Sequence, residues 1–313
     1  MAGYTRVQWA RQLYGVAAGL YPIGYLAMHG FRDMTYSHLY VHRSELKPSE
    51  QLKELVAQEF DRLEDVTFPK LMVTLTDRME PSTYGTFFLR YGMELQLPAA
   101  LSMVDIEYAH RLGGHVELDL GQARHRRKLE VTSELAVELL SQMLLSEPAK
   151  RFVIQRELQR ANDGVLFVVP VAAWGMIACL LHPFHIRLAR YIGPFVAMFA
   201  GLAVAIAAFR LFLESFDRFA ILRCDEAVAR LGPEYIEGAR KFLANQLTVN
   251  RMIRKIMGEE GEKLVSKSGE LKSASVTIRE RLKAIERIAA QIKPSDTAAA
   301  SSSSPHQPIT DDV

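Results

Sequence analysis

Cysteine is nearly absent: the chain of 313 residues has two, Cys179 and Cys224. Two thiols cannot build a disulfide framework. Cys179 falls in the longest apolar region, so the pair is expected to stay reduced and unbridged. Charge of one sign is lacking as well. The 38 Lys and Arg nearly balance 36 Asp and Glu, leaving +2. No stretch interleaves basic with aromatic residues, so the chain lacks the profile of a nucleic-acid binder. It has no Gly-rich phosphate loop, no Gly-x-Ser-x-Gly elbow and no Cys-x-x-Cys pair, which leaves no cofactor motif. No internal repeat is visible.

Charge is missing altogether from two long stretches. Residues 165–181 (VLFVVPVAAWGMIACLL) and 192–209 (IGPFVAMFAGLAVAIAAF) contain no ionised side chain. A helix needs about 20 apolar residues to cross a bilayer, with roughly 17 as the lower bound. The two runs, joined by HPFHIRLARY, predict a transmembrane hairpin over 164–213. The competing picture is a pair of buried core helices, but those rarely stay uncharged on every face. Gly175, Ala178, Gly201 and Ala205 are small enough for close helix approach, within the hairpin or against a membrane partner. Neither span carries an ionisable group that would mark an ion path, which weighs against a transporter subunit.

Basic residues set orientation. Lys150, Arg151, Arg156 and Arg160 precede the hairpin, and Arg210, Arg218 and Arg223 follow it, against Arg187 and Arg190 in the connecting loop. Both large flanking regions, 36–163 and 214–293, therefore belong on the positive side, cytosol or matrix. Acidic residues are missing before Asp33, while Arg6, Arg11 and Arg32 are present. Residues 1–35 thus read as a basic, amphipathic targeting or anchoring segment of mitochondrial type. Residues 13–28 are a weak third membrane candidate, interrupted by three glycines and Pro22. A secretory signal is the other alternative, without a convincing small-residue cleavage site.

Between these parts the fold class reads as α+β, mostly helical. Residues 49–63 have helical spacing with Ser49 as N-cap. Period-two alternation at Leu71, Val73 and Leu75, at 87–97, and at Val116, Leu118 and Leu120 predicts three strands. Helices are expected over 132–145, from Pro148 to about Asn162, over 215–231, from Pro233 to Gly258, and along the stripe Ile278, Leu282, Ile285, Ala289 and Ile292. Residues 294–313 are low-complexity and read as a disordered tail.

One motif bears on chemistry. Arg156-Glu157-Leu158-Gln159-Arg160 has the spacing of the zinc-protease helix H-E-x-x-H, with both histidines replaced. Arginine stays protonated and offers no lone pair to a metal. Arg156, Glu157 and Arg160 are therefore expected to form an ion-pair surface above the membrane, with no catalytic and no metal role. His38 and His42 also have metal spacing but read as exposed or capping residues. His182 and His185 fall in the hairpin loop and read as interfacial anchors.

The order SEPAKRFVIQREL, hairpin, FDRFAILRCDEAVARLG, GARKFLANQL resembles that of membrane-bound M48-type metallopeptidases. Cys224-Asp225 would match the Ala-Asp pair of that family's E-x-x-A-D-x-x-A segment. Gly238, Ala239, Phe242 and Leu243 would match the helix after it. Ile221 would stand at the third ligand, a Glu in the family, so all three ligands would be missing. The resemblance implies a degenerate, zincin-like scaffold, with an atypical metallopeptidase as the alternative.

A second resemblance is sharper. NQLTVNRMIRKIMGEEGEKLVSKSGEL (residues 245–271), preceded in order by LPAALSM, LSEPAKRFVIQRE and the paired apolar runs, resembles the transmembrane protein 177 family over residues 97–271. That resemblance implies a multi-pass mitochondrial inner-membrane protein with its termini in the matrix. It would associate with the assembly chaperone of cytochrome c oxidase subunit 2, and with subunit 2 itself, as a scaffold and not as an enzyme.

Overall fold

The computed structural model describes residues 2–30, 47–76, 80–113, 117–118, 127–128 and 134–301. His38 and His42 lie outside them, as do residues 302–313. The fold is α+β and mostly helical, as read from the sequence.

Helix α1 (Ala2–Gly30) precedes α2 (Glu50–Phe60), whose cap Ser49 accepts a hydrogen bond from the Leu52 amide. Strands β1 (Leu71–Thr76), β2 (Ser82–Gly85) and β3 (Met93–Pro98) form one sheet, with β3 central. β1 runs parallel to β3 and β2 antiparallel to it. The strand expected over 87–97 is realised only from Met93. Residues 86–92 turn instead, because the Phe87 amide and the Thr86 hydroxyl both donate to the Ala161 carbonyl. Strand β3 is buried on both faces, so its polar residues pair internally. Thr74 Oγ1 and Gln96 Nε2 both donate to Glu94 Oε1.

After short helices α3 (Ala99–Ser102) and α4 (Ile106–Gly113) comes a separate ladder of β4 (Glu117–Leu118) and β5 (Arg127–Lys128). The strand expected over 116–120 thus exists at its centre; Val116 and Leu120 lie outside the described residues. Helix α5 is Glu134–Met143.

Helix α6 (Glu147–Asn162) is the axis of the extramembrane core, with Phe152, Val153, Ile154 and Leu158 fully buried. Helix α9 (Pro233–Met257) crosses it at Gly238, where a Cβ would sit 2.2 Å from the Pro148 carbonyl oxygen. Phe152 and Phe242 fill the next layer, and Leu95, Leu97, Ile236 and Ile285 complete the same core.

Between α6 and α9 stand α7 (Gly164–Ile192) and α8 (Pro194–Ala229), the expected hairpin, reversing at Gly193. Both are long and apolar enough to cross a membrane, with mean hydropathy 2.3 and 2.2 in their most apolar windows. Helix α8 continues well past its apolar half, and its last turns pack on α6. Helix α1 lies along both. Tyr14 Oη donates to the Ala178 carbonyl at 2.7 Å, and Trp174 Nε1 to that of Ala18 at 2.7 Å.

The glycine-rich run after α9 is a clasp. It forms α10 (Glu259–Leu264) and then a turn at Gly269, whose carbonyl accepts from Asn250 Nδ2. The carboxylate of Glu270 accepts from the Ile278 and Arg279 amides, capping the last helix, α11 (Ile278–Ser301). This helix runs past Pro294 into the expected tail, where Ala298, Ala299 and Ala300 favour helix. Gly269 has φ +90°, and a Cβ there would lie 2.3 Å from the Leu247 carbonyl oxygen. Gly269→Ala is therefore expected to cost about 2 kcal/mol or more. A lowered melting temperature of the detergent-solubilised protein reads this out; an unchanged one refutes it.

Candidate functional site

The candidate site begins on α6, one turn before its end. Period 3.6 places Arg156, Glu157 and Arg160 toward α8 and β2, and the three differ in exposure. Glu157 is fully buried and Arg156 nearly so, whereas Arg160 is exposed. The expected surface ion pair is thus an interior one. The sheet, α8 and α9 pack around α6 closely enough to enclose Glu157 and most of Arg156, while Arg160 keeps its exposure.

Both Glu157 oxygens are engaged. Arg156 donates from Nε (3.0 Å) and a terminal nitrogen (2.6 Å) to Oε1, and Thr83 Oγ1 donates to Oε2 at 2.6 Å. Burial works to raise the Glu157 pKa, but Arg156, Arg160 and the Thr83 hydroxyl win and hold it below the ordinary carboxylate value. For Arg156, burial opposes the charge. Glu157 and Asp225 outweigh it, so the guanidinium is held more firmly protonated than usual.

Helix α8 presents Ile221, Cys224 and Asp225 to this region. Ile221 is half-buried and offers no donor atom; Cys224 is buried and unbridged. Asp225 is fully buried and takes a two-pronged pair from Arg281 of α11, at 2.6 and 2.9 Å. The sequence singled out Asp225, Glu157 and the Arg156 that pairs with Glu157, but neither Thr83 nor Arg281. Thr83 and Arg281 lie 74 and 56 residues away in sequence, on elements whose contact no local pattern announces.

The arrangement holds charge in place, with Glu157 and Asp225 each ion-paired to an arginine. A zinc-protease helix needs two lone-pair donors and a free carboxylate beside bound water. Here guanidinium groups stand at both donor positions, and both oxygens of the carboxylate accept hydrogen bonds. Beside the site, between the end of α6 and α8, lies a cavity of ≈ 850 Å³ lined by Gln159, Asn162, Asp163, Phe219, Arg223 and Arg230, among others. Arg223 bridges it to Asp163 at 2.5 Å, its guanidinium over the Phe219 ring.

The small residues of the hairpin divide. Ala178 and Ala205 are buried, and Gly201 faces Tyr14 and His185. Gly175 is exposed, and a Cβ there would meet nothing within 4 Å. His185 is fully buried, with Nε2 3.0 Å from the Ala10 carbonyl oxygen. It is a packing residue between α7 and α1, and the interfacial role expected of it is overturned.

Comparison with known proteins agrees on one family. The family model described as Transmembrane protein 177 matches residues 10–299. The Danio rerio protein named Transmembrane protein 177 is 26% identical over 257 residues, covering 78% of this chain and 80% of its own length. Its Rattus norvegicus namesake is 26% identical over 268 residues, covering 83% of each chain. No solved structure matches. The chain belongs to the Transmembrane protein 177 family.

Proposed function

From that membership we propose a non-catalytic scaffold of the mitochondrial inner membrane, one that supports the biogenesis and stability of cytochrome c oxidase subunit 2. It acts by associating with the subunit's assembly chaperone and with subunit 2 itself. The large regions on either side of the hairpin lie in the matrix, the side favoured by their surplus of Lys and Arg near the membrane. The observation that carries the non-catalytic half is the state of Glu157. It is sealed between Arg156 and Thr83, and the flanking arginines have no lone pair to give a metal.

The test is to deplete the protein from mitochondria and restore either the wild type or Glu157→Gln at equal abundance. Newly made subunit 2 is then followed. Loss on depletion and equal rescue by both forms is the expected result. Rescue by wild type alone would revive the metallopeptidase alternative and call for a metal assay. No change on depletion removes the link to subunit 2.

A further inference from the structure

The contacts of α1 with α7 form a descending ladder. The Ala10 carbonyl meets His185, Tyr14 meets the Ala178 carbonyl, the Ala18 carbonyl meets Trp174, and Tyr25 meets the Phe167 carbonyl. Each step forward along α1 is a step back along α7, so the two helices run antiparallel through the whole depth of the hairpin. At one end Ala10 packs with Ala189 and Ala197 beside the Gly193 turn. At the other, His29 Nδ1 accepts from the Gly85 amide of β2, in the extramembrane sheet. From Ala10 to His29 a helix rises about 28 Å, close to the roughly 30 Å of a bilayer core.

The outer face of α1 has the chemistry of the same environment. No Lys, Arg, Asp or Glu occurs between Arg11 and Arg32. Val16 (67% exposed), Leu20 (64%), Ile23 (67%) and Leu26 project outward on one side, away from buried Tyr14. They continue the exposed apolar surface of the hairpin, formed by Val168, Met176, Leu180, Phe199 and Ile206 among others. In water this would be a large apolar patch without a partner; in hydrocarbon it needs none. Trp9 and Tyr191, both exposed, belong to the hairpin-tip end, next to Ala10 and close to Gly193, where aromatic residues mark a bilayer interface.

We infer that α1 is a third membrane span whose outer face meets lipid, so that the residues before Ala10 lie across the membrane from the two large flanking regions. This departs from the expectation that both termini share one side. It rests on the proposed matrix location only for naming the sides. Moving Arg6 and Arg11 to the tip side, with Arg187 and Arg190, still leaves the basic majority on the other side.

Labelling of introduced cysteines with a membrane-impermeant maleimide tests this in mitoplasts with an intact inner membrane. Wild type supplies the background, since Cys179 faces lipid and Cys224 is buried. Tyr4→Cys is expected to label in intact mitoplasts, and Lys267→Cys, on the exposed clasp, only after permeabilisation. Leu20→Cys should stay unlabelled in both conditions despite its exposure on the protein. If Tyr4→Cys and Lys267→Cys are both protected, or both labelled, the third span is overturned. The both-labelled result also overturns the matrix location. The reverse pattern, with only Lys267→Cys labelled in intact mitoplasts, keeps the third span and overturns the matrix location instead. Labelling of Leu20→Cys in either condition overturns the lipid-facing surface.

Discussion

Asp225→Ala is expected to destabilise the protein by about 3–5 kcal/mol, because it strands the Arg281 guanidinium in the interior. The pair itself need contribute little. Taking both charges out of water costs roughly what their attraction returns, which is why an apolar pair of matching volume can be neutral or better. Removing one partner is different: Arg281 is 7% exposed and loses both hydrogen bonds to the Asp225 carboxylate. Thermal or denaturant unfolding in detergent should therefore show a large loss for Asp225→Ala and also for Arg281→Met. The double variant should lose much less than the sum of the two. Simple additivity would mean that the two side chains are not coupled, and the ion pair that ties α11 to α8 would fall with it. Arg218–Glu280 and Arg240–Glu286 also tie α11 to the rest. Both are exposed, and such pairs each add about 1 kcal/mol at most, so Asp225–Arg281 is the one whose loss should loosen the helix.

What could be read from the chain beforehand follows from where each signal lies. The hairpin was legible because its signal is local, two charge-free runs of spanning length. The helices at 50–60 and 233–257 were legible for the same reason, through period and end signals, and that at 147–162 through Pro148 in its first turn. Helix α1 was only half legible. Three glycines, Pro22 and several tyrosines dilute its hydropathy, yet Tyr14 and Tyr25 are the residues that bind it to the hairpin carbonyls. A helix whose polar atoms are satisfied by its neighbours needs less apolar character of its own, and hydropathy cannot register that. The strand at 87–97 failed differently. Its alternation puts Phe87 in the core, but the backbone there is recruited by the Ala161 carbonyl, a contact 74 residues distant. Strand β2 was missed because four residues, Ser82 to Gly85, carry too little pattern to stand out.

The candidate site was legible as a list of residues and not as an arrangement. The arginines at 156 and 160 could be recognised as unfit for metal from side-chain chemistry alone. That Glu157 is buried could not, since α6 is so evenly covered that its sequence shows no dominant apolar face. Gly238 shows the same gap. It was noted as one element of a family-like helix, while its role, letting α9 approach the Pro148 carbonyl, appears only once both helices are placed.

Glu157→Ala is the companion experiment, with an expected loss of about 3–5 kcal/mol for leaving the enclosed Arg156 charge unpaired. Glu157→Gln keeps an acceptor for one hydrogen bond and should lose less. The pH dependence separates an ionised Glu157 from a merely well-packed one. Its folded-state pKa lies below the ordinary value of 4.5, so the unfolded chain binds the proton more readily than the folded one. The stability it confers is then complete above the ordinary pKa and drains away as pH falls through that value toward the folded one. Wild type should lose stability on acidification below about pH 4.5 more steeply than Glu157→Gln, which has no proton to take up at that position. Identical acid limbs in the two proteins would mean that Glu157 is not held ionised by Arg156 and Arg160.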